Sequence, residues 1–72
     1  GNEIDCIIDN GSNIKSIEIK SSSTISSDFF KGLNFYKNLN KTSEQYLVYG
    51  GKTNTSRNGI EIVNWKNILS IL

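Results

Sequence analysis

The sequence predicts a small α/β domain in which a mixed sheet is built in the order β-β-α-β-β-α. Apolar and polar residues alternate in 3–8 and in 14–20, which is typical of strands with one buried face. Apolar residues then recur at helical spacing from residue 29, and the apolar run 45–49 is typical of a buried strand. Because the chain has only 72 residues and shows no linker or repeat, we expect one domain over 1–72.

The first two strands are predicted to form a β-hairpin across a cluster of turn-forming residues. Asn10 and Gly11 both tolerate positive φ, so a two-residue loop and a four-residue loop, 10–13, both fit the sequence. The two-residue loop would set Glu3 directly against Glu18, whereas the four-residue loop sets Glu3 against the oppositely charged Lys20. We therefore favour the four-residue loop.

Four charged side chains are predicted to share one face of this hairpin. A shift of two residues in strand pairing keeps every side chain on its side of the sheet. Either loop length therefore gives the same set of charged residues on one face: Glu3, Asp5, Glu18 and Lys20. In the four-residue loop, Asp5 lies directly opposite Glu18.

An amphipathic helix is expected after the hairpin, ending near Leu39. Ser26 or Ser27 is the expected N-cap, Asp28 is favourable in the first turn, and Asn40 is a plausible stop. The apolar stripe of this helix lies at i, i+4 and i+7: Phe29, Leu33 and Tyr36. We expect Phe35, which lies off the stripe, to be exposed.

The second half of the chain supplies two more strands and a terminal helix. The crossover before 45–49 is long enough for that strand to run parallel to the second strand. A polar loop is expected over 50–59 and a strand over 60–63, after which Asn64 caps the terminal helix. An apolar stripe is predicted along it, with the last residue packed: Trp65, Ile68, Leu69 and Leu72.

Composition excludes several classes of site. The chain has no histidine and one cysteine, so histidine triads, histidine metal sites, thiolate zinc sites and internal disulfides are ruled out. Cys6 is expected to be a small buried hydrophobe. The net charge of +1 offers no general attraction for nucleic acid or a membrane. No membrane span or signal peptide is apparent, so we expect a cytoplasmic location.

Asp5, Glu18 and Lys20 form the one chemical constellation in the sequence. Carboxylates from adjacent strands can hold Mg²⁺, which accepts one or two carboxylates together with waters and phosphate oxygens. A neighbouring lysine can orient or deprotonate an attacking water and offset phosphate charge. The simpler interpretation is a solvated hairpin face, since alternate charges are common on exposed strands.

The hairpin resembles the PD-(D/E)XK motif of restriction-endonuclease-like domains, in which an Asp opens one strand and Glu-x-Lys lies on the next. The resemblance rests on the segments 3–8 and 17–21. It implies that Asp5 and Glu18 are metal ligands and Lys20 the catalytic lysine of a Mg²⁺-dependent nuclease. Two features depart from this pattern: Ile4 stands in place of the proline, and the superfamily's N-terminal helix and strand do not precede the hairpin.

Nearly the whole chain resembles, more narrowly, the C-terminal domain of uncharacterised function found in many prokaryotic AAA-type ATPases. Four further segments carry this resemblance: 27–33, 49–51, 57–60 and 63–65. It implies that the chain is a C-terminal fragment of a longer bacterial ATPase. The rest of that ATPase is then an expected partner, together with nucleic acid, and an exposed sheet edge would favour self-association.

The glycine-rich loop after the third strand is not predicted to bind a nucleotide. Gly50-Gly51-Lys52-Thr53 resembles the end of a P-loop, but that motif requires a glycine where Tyr46 stands. Any ATPase activity would therefore lie outside this chain. Three basic residues are weaker predictions for contacts to nucleic-acid phosphates: Lys31, Lys52 and Arg57.

Two functions remain open from the sequence. The first is Mg²⁺-dependent hydrolysis of phosphodiesters by a PD-(D/E)XK nuclease-like domain, with Asp5, Glu18 and Lys20 at its site. The second is a non-catalytic module that regulates or assembles its ATPase. The balanced charge favours the second, since a nuclease usually carries a basic track.

Overall fold

A computed structural model describes residues 5–72 of the chain, which form a mixed five-stranded sheet with helices on both faces. The strands are β1 (Cys6–Asp9), β2 (Ile14–Ile19), β3 (Glu44–Tyr49), β4 (Thr55–Arg57) and β5 (Ile60–Asn64). The helical elements are a 3₁₀ turn (Ser27–Phe30) that leads into α1 (Lys31–Leu39), and a C-terminal 3₁₀ helix (Trp65–Ser70). Glu3 and Ile4, which enter the predictions above, lie outside the described residues.

The strand order is β1-β2-β3-β5-β4. The three central strands run parallel, and each edge strand is antiparallel to its neighbour. The predicted parallel pairing of the second and third strands is therefore confirmed. The structure confirms a single small α/β unit with a mixed sheet. The restriction-endonuclease-like order remains a prediction.

The β1–β2 hairpin has the four-residue loop that the charge pattern favoured. Asp9 pairs with Ile14, which leaves 10–13 as the loop, and the Asn10 N–H donates to the Asn13 carbonyl at 2.9 Å. Gly11 has a φ of +86°, a conformation that costs glycine little. The sequence prediction of this register is confirmed.

The segment predicted as a polar loop over 50–59 contains the edge strand β4. Arg57 pairs with Ile60, so Asn58 and Gly59 form a two-residue hairpin loop in which both φ values are positive, at 52° and 81°. This is the turn that Asn-Gly favours between antiparallel strands. The prediction missed β4 because its three residues are all polar and exposed, so they show no alternation.

The helix after the hairpin begins and ends as predicted. Ser26 is the N-cap and accepts a hydrogen bond from the Asp28 N–H at 3.4 Å, and the helix stops at Asn40. Its inner side meets the sheet in one apolar core of Phe30, Leu33, Leu47, Tyr49, Ile60 and Ile62. Phe35 is exposed, as expected, and Phe29 packs at the margin of this core.

The terminal helix differs from its prediction. It is a 3₁₀ helix, with three residues per turn, so Ile68 and Ile71 face the sheet together, whereas Trp65, one turn earlier in the same row, is exposed. Ile68 and Ile71 pack against Ile17, Tyr46 and Val48 on the face opposite α1. The stripe predicted from α-helical spacing is wrong for its three other members, which are exposed: Trp65, Leu69 and Leu72.

Cys6 also departs from its prediction, because it is exposed and not a buried hydrophobe. It opens the edge strand β1 and pairs with the buried Ile17. On the face opposite α1, the C-terminal 3₁₀ helix makes its contacts with β3 and β5, so the edge strand β1 has little cover. Within residues 5–72, no helix is both long enough and apolar enough to cross a membrane.

Candidate functional site

Glu18 is a charged residue buried on the α1 side of the sheet. It lies opposite Leu47 in the β2–β3 pairing, so its side chain points toward the same face as the core under α1. Only 8% of its surface is exposed. A buried carboxylate needs partners, because taking an isolated charge out of water is strongly unfavourable. The contacts of Glu18 therefore decide what this site can do.

Lys20 is one such partner. Its Nζ lies 2.9 Å from Glu18 Oε2 and 5.4 Å from the centroid of the Phe29 ring. Its backbone N–H donates to the Val48 carbonyl at 2.8 Å, which fixes the chain just beyond the end of β2. Glu18 and Lys20 are thus brought together as the sequence pattern predicted.

The electrostatics of the pair keep Lys20 charged. The hydrogen bond to Glu18, and then the negative charge of that carboxylate, raise the pKa of Lys20 above its ordinary value. Lys20 is therefore an ammonium ion at neutral pH. Offsetting phosphate charge is compatible with this state, whereas deprotonating a water is not.

Asp5 lies at the beginning of the hairpin and contacts the end of β2. Its Oδ2 accepts a hydrogen bond from the Ile19 N–H at 2.8 Å. Cys6 pairs with Ile17, so extending this register by one residue sets Asp5 opposite Glu18. The structure thus brings Asp5 to the same end of β2 as the Glu18–Lys20 pair.

One oxygen of Glu18 has no partner among the described residues. Oε1 is buried and makes no hydrogen bond within residues 5–72. Buried polar atoms without a partner are uncommon and costly, since the group loses its water and gains nothing in return. This free acceptor fits a cation bound beside Glu18.

The donor set fits Mg²⁺ only in part. Mg²⁺ binds oxygen ligands and commonly takes one or two carboxylates, with water and phosphate oxygens in its other positions. Asp5 and Glu18 supply two carboxylates. The described part of the chain contains no group of three or more aspartate, glutamate, cysteine or histidine side chains that could hold a metal. The remaining ligands would have to be water and substrate.

Two features of the site were not predicted. Phe29 was assigned to the helix stripe, yet its ring also lies beneath the Lys20 ammonium.

Gly50 donates its N–H to the Ser22 carbonyl at 2.8 Å, and a Cβ there would lie 2.9 Å from the Ser21 carbonyl oxygen. This close approach joins the segment after β2 to the end of β3. The glycine pair directly after a buried strand was its only signal in the sequence.

The three basic residues predicted to contact nucleic acid lie in separate settings. Lys31 pairs with Asp28 at 3.5 Å on the exposed side of the helix. The Arg57 guanidinium lies 5.1 Å from the centroid of the Phe30 ring. Lys52 is exposed in the loop after β3. None of these contacts involves Asp5, Glu18 or Lys20.

Comparison with protein families gives one match. The family described as "Domain of unknown function (DUF4143)" matches residues 1–68. The chain belongs to this family. It is an uncharacterised domain family associated with ATPase-containing proteins, which agrees with the narrower resemblance found in the sequence. No curated protein and no solved structure matches the chain.

Proposed function

We propose that this DUF4143 domain is a PD-(D/E)XK nuclease-like module that binds Mg²⁺ at Asp5 and Glu18 and hydrolyses phosphodiesters. The observation that carries the proposal is the buried Oε1 of Glu18, which has no hydrogen-bond partner within residues 5–72 and lies beside a second carboxylate and a fixed ammonium group. A solvated strand face would not need to bury a carboxylate oxygen without a donor.

Each residue of the site has a distinct role in this proposal. Asp5 and Glu18 would hold the ion, and bound Mg²⁺ supplies a Lewis acid and an acidified water. Lys20 stays protonated beside them and offsets negative charge on the scissile phosphate. The Phe29 ring holds the Lys20 ammonium in place without neutralising it.

Thermal unfolding with and without MgCl₂ or MnCl₂ tests the metal site. A ligand that binds only the folded state raises Tm, so millimolar metal should stabilise the wild-type domain. Glu18→Gln and Asp5→Asn should lose this rise, while Asp28→Asn, on the exposed helix, should keep it. An unchanged wild-type Tm in both metals would refute the site.

Hydrolysis is tested by cleavage of single- and double-stranded DNA and RNA with the same metals. Wild-type protein should cleave at least one substrate, and Lys20→Ala should reduce the rate by about 100-fold, a usual contribution for a group that stabilises transition-state charge. Equal rates in the two proteins would assign the cleavage to a contaminant.

A second candidate function is an interaction module for the ATPase with which the domain is associated. The exposed apolar residues in the C-terminal 3₁₀ helix and directly after it favour this function: Trp65 is 57% exposed, Leu69 81% and Leu72 58%. Such a concentration on one short element is typical of contact surfaces. The partner in this case is the rest of the parent ATPase.

ATP hydrolysis by the parent ATPase separates this function from the first. Leu69→Ser should alter its rate if the 3₁₀ helix contacts the ATPase, and Asn67→Ser, on the same exposed helix, is the matched control. If Leu69→Ser does not change the rate of ATP hydrolysis and the domain cleaves nucleic acid with metal, the results support the nuclease-like function and not the interaction module.

A further inference from the structure

We propose that Lys20 is an internal competitor for the metal site: its ammonium group occupies the Glu18 carboxylate until a divalent cation displaces it, while its contact with the Phe29 ring remains. This inference rests on the proposed function, since it concerns the same carboxylate. It adds a form of regulation, because the affinity for metal then depends on a lysine of the domain itself.

The contacts of Glu18 are the first support. Its Oε2 is bound by Lys20 at 2.9 Å, whereas Oε1 is buried without a partner. One ammonium group therefore serves only half of the carboxylate. A divalent cation carries twice the charge of the ammonium group and binds carboxylate oxygens, so it would stabilise the buried carboxylate more strongly than Lys20 does.

The surroundings of Lys20 are the second support. Its side chain is 37% exposed, against 11% for Glu18, so the lysine can move while the carboxylate stays in place. The Phe29 ring already lies 5.4 Å from Nζ, so the ammonium can keep this contact when it leaves Glu18. A cation over an aromatic face is attracted by its electron-rich surface.

Competition has a definite consequence for affinity. If metal must displace Lys20, removal of the ammonium group strengthens metal binding. If Lys20 instead only supports the site, its removal leaves binding unchanged or weakens it. Linked equilibria of this type usually change affinity by about 5- to 150-fold, so we expect roughly a tenfold gain.

The test is Mn²⁺ titration by calorimetry with the wild type, Lys20→Met and Lys66→Met. The Lys66 ammonium also lies over an aromatic ring, 5.8 Å from the Trp65 centroid, and within residues 5–72 it makes no ion pair. It is therefore a matched control. Tighter binding by Lys20→Met alone supports competition. Equal or weaker binding overturns it while keeping the metal site. Absence of binding in both the wild type and Lys20→Met overturns both the competition and the proposed function.

A second measurement needs no variant. In the wild-type domain, saturating Mg²⁺ should shift the side-chain ¹³Cε resonance of Lys20 as it leaves Glu18, and the Lys66 resonance should stay in place. If metal raises Tm while the Lys20 resonance does not move, Lys20 and the metal do not share the carboxylate. This reading also decides the question if Lys20→Met does not fold.

Discussion

The two faces of the sheet are covered in different ways. On the α1 face, the helix and its preceding 3₁₀ turn enclose six buried apolar residues and the Glu18 carboxylate. On the opposite face, the six-residue C-terminal 3₁₀ helix covers four buried apolar residues, and Ile19 stays 47% exposed. The α1 face, which has the larger helical cover, is therefore also the face that buries a charge. We infer that the α1 face combines stability with the candidate site, while the other face is open to contacts.

Adjacent residues of β3 measure this difference most directly. Leu47 and Val48 are both fully buried but point to opposite faces. Leu47→Ala should cost about 3 kcal/mol, because the packed α1 side cannot close the cavity. Val48→Ala should cost roughly 2 kcal/mol, the value of two buried methylene groups. Urea unfolding measures both, and a larger loss for Val48 would contradict the assignment of the larger helical cover to the α1 face.

The C-terminal 3₁₀ helix offers the next test. Ile71→Ala should cost roughly 2 kcal/mol, since this side chain packs on Val48 and Tyr46 and is 7% exposed. Leu72→Ala, at the neighbouring exposed position, should cost less than about 0.5 kcal/mol. Urea unfolding of the two variants is the measurement. The reverse order would restore the α-helical stripe and would mean that this helix is wound with 3.6 residues per turn.

This helix also shows where sequence reasoning fails. Trp65, Leu69 and Leu72 match α-helical spacing as well as Ile68 does, and the 3₁₀ winding turns Leu69 and Leu72 away from the sheet. Trp65 keeps the three-residue spacing from Ile68 but is exposed, which the winding does not explain. Six residues are too few for the sequence to indicate that winding. In the hairpin, by contrast, the register followed from charge opposition and turn chemistry, because both act between neighbouring residues.

The sequence predicted which residues of the candidate site lie near one another, but it did not predict that Glu18 is buried. Alternation and loop parity brought Asp5, Glu18 and Lys20 to one region. That Glu18 is buried depends on α1, a separate element that packs on β2, so spacing along the hairpin could not indicate it. The same dependence on tertiary contacts hid the unpartnered Oε1.

A double-mutant comparison tests whether the α1 face encloses a charge that needs its partner. Lys20→Met should destabilise the domain, because it leaves the buried Glu18 carboxylate unpaired. The loss should be smaller than for Leu47→Ala, since Lys20 is partly solvated. Adding Glu18→Gln to Lys20→Met should recover stability in urea unfolding. If the double variant is no more stable than Lys20→Met, the carboxylate is not held away from water.

Stability at alkaline pH should depend on Tyr46, which is buried on the face opposite α1. Burial and then the hydrogen bond to Glu44 raise the pKa of Tyr46 to about 12. An unfolded tyrosine titrates near pH 10, so the fold favours the neutral phenol. Its contribution to the free energy of unfolding is complete below about pH 10 and is lost as pH rises toward 12.

Urea unfolding between pH 9 and pH 12 measures this loss. Tyr46→Phe should remove the part of the decline that Tyr46 causes, because phenylalanine has no proton to lose. Tyr49→Phe, on the α1 face, should retain that part, since it leaves the Tyr46–Glu44 bond of 2.8 Å intact. An identical decline in the wild type and in Tyr46→Phe would show that the Tyr46 phenol is not buried enough to shift its pKa, and this face would then contribute nothing to the pH dependence through Tyr46.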